Sequence, residues 1–117
     1  MSRSMSDIAI LVIRILLTLA FGAAGFAKLS GADMMVGTFD QIGWGQWFRY
    51  LTGVIEIGGA VLLWIPRRQL IGAGLLLCTM VCAVLFHLLV LGPSAVPALV
   101  LGVLAAVIVW THRPATT

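Results

Sequence analysis

Four long apolar runs, separated by short polar stretches, account for most of the sequence. They cover residues 8–28, 47–65, 70–91 and 95–111. A helix needs about 20 apolar residues to cross the hydrocarbon core of a bilayer, with a range of about 17–25, and the four runs are close to this length. Because lipid offers backbone groups no hydrogen-bond partner, continuously apolar runs predict helices rather than strands. The pattern therefore predicts an all-α fold, an integral membrane four-helix bundle, in a single domain of residues 1–117.

The segment between the first two runs, residues 30–46, is the longest interruption of the apolar pattern. Asp33 is suited to cap a short helix, and Met35, Phe39 and Ile42 follow at helical spacing. A short helix with one apolar face commonly lies on a membrane surface. We therefore predict a short amphipathic segment between helices 1 and 2, on the outer face of the membrane.

The composition agrees with a membrane location. Of the 117 residues, 62% are hydrophobic and 9% are charged, whereas a soluble domain is about 45–50% apolar and about 25% charged. Lipid is therefore the expected solvent, and the bilayer is the first expected partner. The net charge of +3 does not indicate a nucleic acid partner, because the basic residues stand singly at the ends of apolar runs and form no stripe.

The distribution of basic residues predicts the orientation of the chain. Four spans place both termini and the turn between the second and third runs on one side of the membrane. That side carries four arginines, Arg3, Arg67, Arg68 and Arg113. The other side carries two basic residues, which two aspartates offset. By the positive-inside rule, we expect a multi-pass protein with both termini in the cytoplasm.

Two charged residues lie inside the apolar runs, Arg14 in the first and Glu56 in the second. A charge at the centre of a membrane helix costs about 2.5–3.5 kcal/mol, so such residues usually face the interior and have partners. At helical rise, both lie roughly 10–13 Å from the same membrane boundary. We therefore predict an Arg14–Glu56 ion pair, within a buried polar cluster that Thr18 and Thr52 complete one turn away. Whether the pair fixes helix register or has a functional role stays open.

A second polar cluster is predicted near the outer boundary. Lys28, Arg49 and His87 fall at this level, with Trp44 and Trp47 nearby. These side chains could hydrogen-bond a ligand such as a quinone carbonyl, while a tryptophan ring stacks beside it. Alternatively, the two basic residues extend to the membrane surface and have no ligand. His87 could equally act as a proton relay or a haem ligand, or form only a local hydrogen bond.

No arrangement of residues predicts catalysis by this chain alone. The sequence has no phosphate-binding glycine loop, no pair of acids of hydrolytic type, and no nucleophile with a matching base. Cys78 and Cys82 lie one helical turn apart, roughly opposite to His87, and we interpret them as small packing residues. We therefore predict no catalytic residues, no metal site and no required cofactor, with a quinone as the one cofactor that the outer cluster would suit.

Several of these residues carry a resemblance to a known family. They are Arg14 in the first helix, the motif Phe21-x3-Gly25-x2-Lys28-Leu29 at its end, the motif Gly53-x2-Glu56-x2-Gly59 in the second helix, and the basic turn Arg67-Arg68. In these motifs and in its four-span layout, the chain resembles the DoxX-like family of small four-helix membrane proteins. The resemblance covers nearly the whole chain.

The resemblance implies a compact bundle in a bacterial inner membrane, but it does not imply one activity. Some members are membrane subunits of a thiosulfate:quinone oxidoreductase, others are linked to complexes that handle oxidative stress, and a distant animal branch resembles an assembly chaperone. Our first hypothesis is a non-catalytic accessory subunit or assembly factor that binds a membrane or membrane-associated protein. The second is a quinone-handling subunit of an oxidoreductase. The third is a small transporter or channel, which would need a homodimer to form a pore.

Overall fold

The computed structural model describes residues 5–91 and 95–112, and within these ranges the chain forms helices and turns without a strand. The helices are α1 (Met5–Ser30), α2 (Asp33–Ile42), α3 (Trp47–Leu62), α4 (Gln69–Phe86) and α5 (Val96–His112). A π-helical turn, His87–Leu91, continues α4. The predicted all-α class is therefore confirmed.

The predicted short helix between the first two apolar runs is present as α2. Asp33 is its first residue and not its cap, because Ala32 occupies the capping position without a side-chain hydrogen bond. The carboxylate of Asp33 instead lies in the first turn, where a negative charge interacts favourably with the helix dipole. Gly43 follows the last residue of the helix, Ile42, and caps it: its backbone is left-handed (φ +81°), and its N–H bonds the carbonyl of Phe39.

The four longer helices pack in a ring. α1 packs against α3, α3 against α4, α4 against α5, and α5 returns to α1. Their inward faces form one apolar core, whose members are Leu17, Phe21, Ala60, Leu63, Ala73, Leu76, Met80, Ala98, Ala105 and Ile108. α2 lies outside this ring, where it contacts α1, α3 and the π-helical turn.

Glycines allow the closest helix contacts. A methyl group on Gly72 of α4 would lie 2.7 Å from the carbonyl oxygen of Gly59 on α3, so only glycine permits this approach. A methyl group on Gly25 of α1 would lie 2.6 Å from Cγ1 of Ile57. Gly22 and Gly74 have open space at the same position, so only part of the glycine pattern serves close packing.

α1 and α3 run antiparallel, and their contacts fix their register. The end of α1 around Lys28 lies beside Gly53, whereas Arg14 lies beside Leu63 at the end of α3. The bundle therefore has two distinct ends. We call the one that holds α2 and the π-helical turn the α2 end. We call the other, which holds the turn of residues 63–68, the turn end.

Two helical segments, Met5–Ser30 and Gln69–Val90, are long and apolar enough to cross a membrane, and Val96–His112 is apolar but shorter. α3 has 16 residues and carries two buried charged side chains. Arg3 and Arg113, on which the predicted orientation partly depends, lie outside the described residues.

Candidate functional site

A buried ion pair joins α1 to α3. Nζ of Lys28 lies 2.8 Å from Oε1 of Glu56, and the two side chains are 11% and 2% exposed. Among the described residues, Oε1 of Glu56 has no hydrogen-bond donor besides this ammonium group. The contact is therefore a close ion pair. The predicted Arg14–Glu56 ion pair is wrong, because Glu56 pairs with Lys28.

The reason for this error is helix register. The predicted depths were counted from the predicted cytoplasmic ends of the two runs, the start of the first and the end of the second. This assumes that these two ends lie at the same level. α1 has 26 residues and α3 has 16, and the contact of Lys28 with Gly53 sets their alignment. Arg14 consequently lies beside the last residues of α3, about two helical turns from Glu56.

Arg14 has its own set of contacts at the turn end. Its Nη1 donates a 3.0 Å hydrogen bond to the carbonyl of Leu63, one of the carbonyl groups that a helix end leaves without a partner. Its guanidinium carbon lies 4.5 Å from the centre of the Trp64 ring. Thr18 donates to the carbonyl of Arg14 and accepts from Nε1 of Trp64, each at 2.7 Å. Nε of Arg14 is buried without a hydrogen-bond partner.

Arg49 connects three helices at the α2 end. It is 5% exposed, so it does not extend to the surface as one sequence-based alternative proposed. Its Nε donates to Gln46 at 2.6 Å, and its Nη1 donates to the carbonyl of Lys28. Gln46 in turn donates to Asp40 at 2.8 Å and to the carbonyl of Val36 at 3.1 Å. Arg49 therefore holds α2 and the end of α1 against α3.

A cavity of about 620 Å³, which we call the main cavity, opens at the α2 end. Its polar groups include Lys28, Thr52, Glu56 and His87, together with side chains of Thr38 and Thr79. The other lining residues are apolar or sulfur-containing: Met34, Met35, Phe39, Ile42, Phe48, Leu51, Ile55, Leu75, Cys78, Met80, Cys82, Ala83, Phe86 and Pro97. The cavity thus combines a broad apolar wall with a few polar groups.

The structure regroups the two predicted clusters. Lys28 and His87 of the predicted outer cluster line the main cavity together with Glu56 and Thr52 of the predicted buried cluster. Arg14 and Thr18 lie at the opposite end of the bundle.

Three members of the predicted outer cluster are absent from the cavity lining. Arg49 holds the helices together, as described above. Trp44 packs against Phe48 and Phe86 with ring centroids 5.0 and 5.3 Å apart, and Trp47 packs 5.7 Å from Phe48. These tryptophans support the aromatic wall of the cavity from outside.

The interpretation of the cysteines as packing residues is wrong. Cys78 and Cys82 are exposed and line the main cavity with His87, although helical geometry places them on nearly opposite faces. Both faces contribute because the cavity spans a broad arc of α4 and the π-helical turn, from Cys82 through Ala83 to His87. The contribution of α2 was also missed, although the helical spacing of Met35 and Phe39 already indicated a packed face.

A second depression, which we call the turn-end groove, lies between α1 and α3. It measures about 330 Å³, and its lining residues are Thr18, Gly22, Ile57, Ala60, Val61 and Trp64. Arg14 borders it, because the guanidinium contacts Trp64 and the Arg14 carbonyl accepts the Thr18 hydroxyl.

Within residues 5–91 and 95–112, no group of three or more metal-ligating side chains comes together.

A sequence model of the DoxX-like family matches residues 12–111. The chain belongs to the DoxX-like family. Searches of curated proteins and of solved structures each gave no match. Family membership, together with two helices apolar and long enough to cross a bilayer, indicates that this DoxX-like chain is a membrane protein.

Proposed function

We propose that this DoxX-like protein binds a small lipid-soluble ligand of the quinone class in the main cavity, as a membrane subunit that acts with a partner protein. One observation carries the proposal. The cavity of about 620 Å³ is lined mostly by apolar side chains, and a buried Lys28–Glu56 pair and His87 are among its few polar groups. Ligand sites are typically apolar cavities of about 300–1,000 Å³ with a few convergent polar groups.

The charge of the cavity favours a neutral ligand. Glu56 neutralises Lys28 at 2.8 Å, so a ligand with its own charge would leave an unbalanced charge in an apolar environment. A quinone is neutral, has a flat apolar ring and needs hydrogen-bond donors for its carbonyl oxygens. The ammonium of Lys28 and the ring N–H of His87 are donors of this kind. Phe39, Phe48 and Phe86 provide aromatic surface for the ring.

The proposed membrane arrangement is a multi-pass bundle in a bacterial inner membrane with both termini in the cytoplasm. Support comes from outward-facing apolar side chains that water would not solvate, such as Leu19, Val81 and Val103, which are 67%, 52% and 56% exposed. α3 has 16 residues, which gives it a length of about 24 Å. It would therefore span a hydrocarbon core of about 30 Å only with local thinning of the bilayer.

In this proposal the chain's own residues bind and orient the ligand, and a partner protein supplies the chemistry. The proposal thus combines two of the hypotheses made from the sequence, that of an accessory subunit and that of a quinone-handling subunit. The hypothesis of a transporter or channel gains no support, because Arg14 and Glu56 contact different groups at different levels of the bundle.

The test is a titration of the purified protein with decylubiquinone, read by quenching of tryptophan fluorescence. Thr52→Leu would fill part of the cavity, whereas Thr111→Leu provides a matched control. Both threonines bond a carbonyl of their own helix, but Thr111 does not line the cavity. We expect Thr52→Leu to weaken binding by at least about tenfold, which is about 1.4 kcal/mol, and Thr111→Leu to bind as the wild type does. The absence of saturable binding to the wild type would refute the proposal.

A further inference from the structure

The turn-end groove is separate from the proposed quinone site. Its wall is apolar apart from Thr18 and the indole N–H of Trp64, and these two groups bond each other at 2.7 Å. The groove therefore offers a ligand little beyond apolar surface along its length. An aliphatic chain suits such a surface, because it needs no hydrogen bonds.

A cationic group lies at one end of this groove. The guanidinium of Arg14 packs 4.5 Å from the ring of Trp64, which itself lines the groove. Leu63 accepts a hydrogen bond from only one of its nitrogens, and Nε is buried without a partner. A guanidinium has five N–H donors, and its fork geometry suits phosphate oxygens.

The neighbouring turn adds positive charge. Arg67 and Arg68 follow Trp64 by three and four residues and are exposed. Of the four acidic residues in the chain, only Asp7 belongs to this end, in the first turn of α1. Three arginines against one carboxylate give the described part of the turn end a net charge of +2.

We propose that the turn-end groove binds an anionic phospholipid, with the phosphate beside Arg14 and the Arg67–Arg68 turn, and one acyl chain between Gly22 and Val61. Basic groups at the mouth of a groove between membrane helices favour acidic lipid headgroups. A zwitterionic phospholipid would be attracted less strongly to these arginines, because its own ammonium group offsets the charge of its phosphate. The proposal is independent of the quinone site, from which it differs in position and in ligand charge.

The test compares two lipids with identical acyl chains, phosphatidylglycerol and phosphatidylcholine, on the full-length protein in detergent. Native mass spectrometry gives the bound fraction of each lipid during a titration. We expect phosphatidylglycerol to bind at least about fivefold more tightly, because each basic residue near the headgroup contributes about 1 kcal/mol. Equal binding of the two lipids would overturn the proposal.

Two glycine variants test the acyl-chain part of the site. A side chain at Gly22 or Gly74 meets no neighbouring atom within 4 Å at its first carbon, but only Gly22 lines the groove. We expect Gly22→Leu to reduce binding of both lipids by about tenfold, a loss of about 1.4 kcal/mol, and Gly74→Leu to have no effect. Unchanged binding to Gly22→Leu would contradict the proposed path of the chain.

Two further measurements test the headgroup part. Arg14→Gln should remove the preference for phosphatidylglycerol. The double variant Arg67→Gln/Arg68→Gln should reduce the preference while changing only exposed side chains, so it remains informative if Arg14→Gln does not fold. Inorganic phosphate should not displace the lipid. Displacement by phosphate, or a full preference in the double variant, would overturn the assignment of a phospholipid to this groove.

Discussion

Lys28 and Glu56 join the end of α1 to the middle of α3, with Nζ and Oε1 2.8 Å apart and the Glu56 side chain 2% exposed. The pair is part of both the helix interface and the main cavity. We therefore expect two separable effects of the pair, one on the stability of the bundle and one on ligand binding in the proposed site.

The effect on stability depends on whether one or both charges are removed. Lys28→Met leaves a carboxylate buried without its partner, and Glu56→Met leaves an ammonium in the same state. Breaking a buried pair from one side costs about 3–5 kcal/mol, whereas replacing both partners by apolar groups often costs much less. We therefore expect the double variant to be more stable than either single variant, as measured by unfolding in mixed detergent micelles.

The exposed Arg67 offers a control for this cycle, since Arg67→Met should change the free energy of unfolding by less than about 0.5 kcal/mol. Additive effects of Lys28→Met and Glu56→Met would contradict a direct pair.

The attachment of α2 depends on Gln46 and Arg49. Gln46 accepts from Nε of Arg49 at 2.6 Å and donates to Asp40 and to the carbonyl of Val36. Gln46→Ala removes these bonds and leaves Arg49 with an unsatisfied donor. We expect faster amide hydrogen exchange over residues 33–42, because this helix loses its main polar tether, with unchanged exchange in α5. Faster exchange throughout the protein would indicate general destabilisation instead.

A methyl group added to Gly72 should weaken the packing of α3 against α4. That methyl would lie 2.7 Å from the carbonyl oxygen of Gly59, which cannot move without shifting a helix. We expect Gly72→Ala to destabilise the protein by about 1–3 kcal/mol. Gly74→Ala, two residues away with open space, should stabilise it by about 0.5–1 kcal/mol, because alanine is the better helix former. Thermal unfolding of both variants in the same detergent would show whether their effects have opposite signs.

The two cysteines report on the main cavity. Cys78 and Cys82 are exposed and line it, so they should react with N-ethylmaleimide in the folded protein. We expect decylubiquinone to slow this reaction several-fold by occupying the space in front of them. A labelling rate that stays constant at saturating quinone would place the ligand elsewhere.

The helices could be predicted from the sequence, whereas the pairing of polar side chains could not. Long apolar runs specify helices because the backbone must satisfy its own hydrogen bonds, and the spacing of Met35, Phe39 and Ile42 indicated α2. Periodicity also places a residue on a face of its helix. It does not give the register between helices, which depends on close contacts such as Lys28 with Gly53. This is why Arg14 was assigned to the wrong partner.

The composition of the cavity was only partly predictable for a related reason. A cavity collects residues from several faces and elements, so Cys82 and His87 contribute together although the helical wheel separates them. The level of Arg49 in the membrane left two alternatives open, a ligand contact or extension to the membrane surface. Its hydrogen bonds to Gln46 and Lys28 instead hold helices together.

We propose that the main cavity holds a lipid-soluble ligand beside Lys28 and Glu56. Photolabelling with an azido-ubiquinone, followed by peptide mass spectrometry, would show which residues lie next to the bound ligand. We predict that labelled positions fall on the cavity wall, within residues 51–56 of α3 and residues 75–87 of α4 and its π-helical turn, and that excess decylubiquinone suppresses them. Labelling confined to the outward-facing residues of α1 and α5, or labelling that excess quinone does not reduce, would contradict the proposed ligand site.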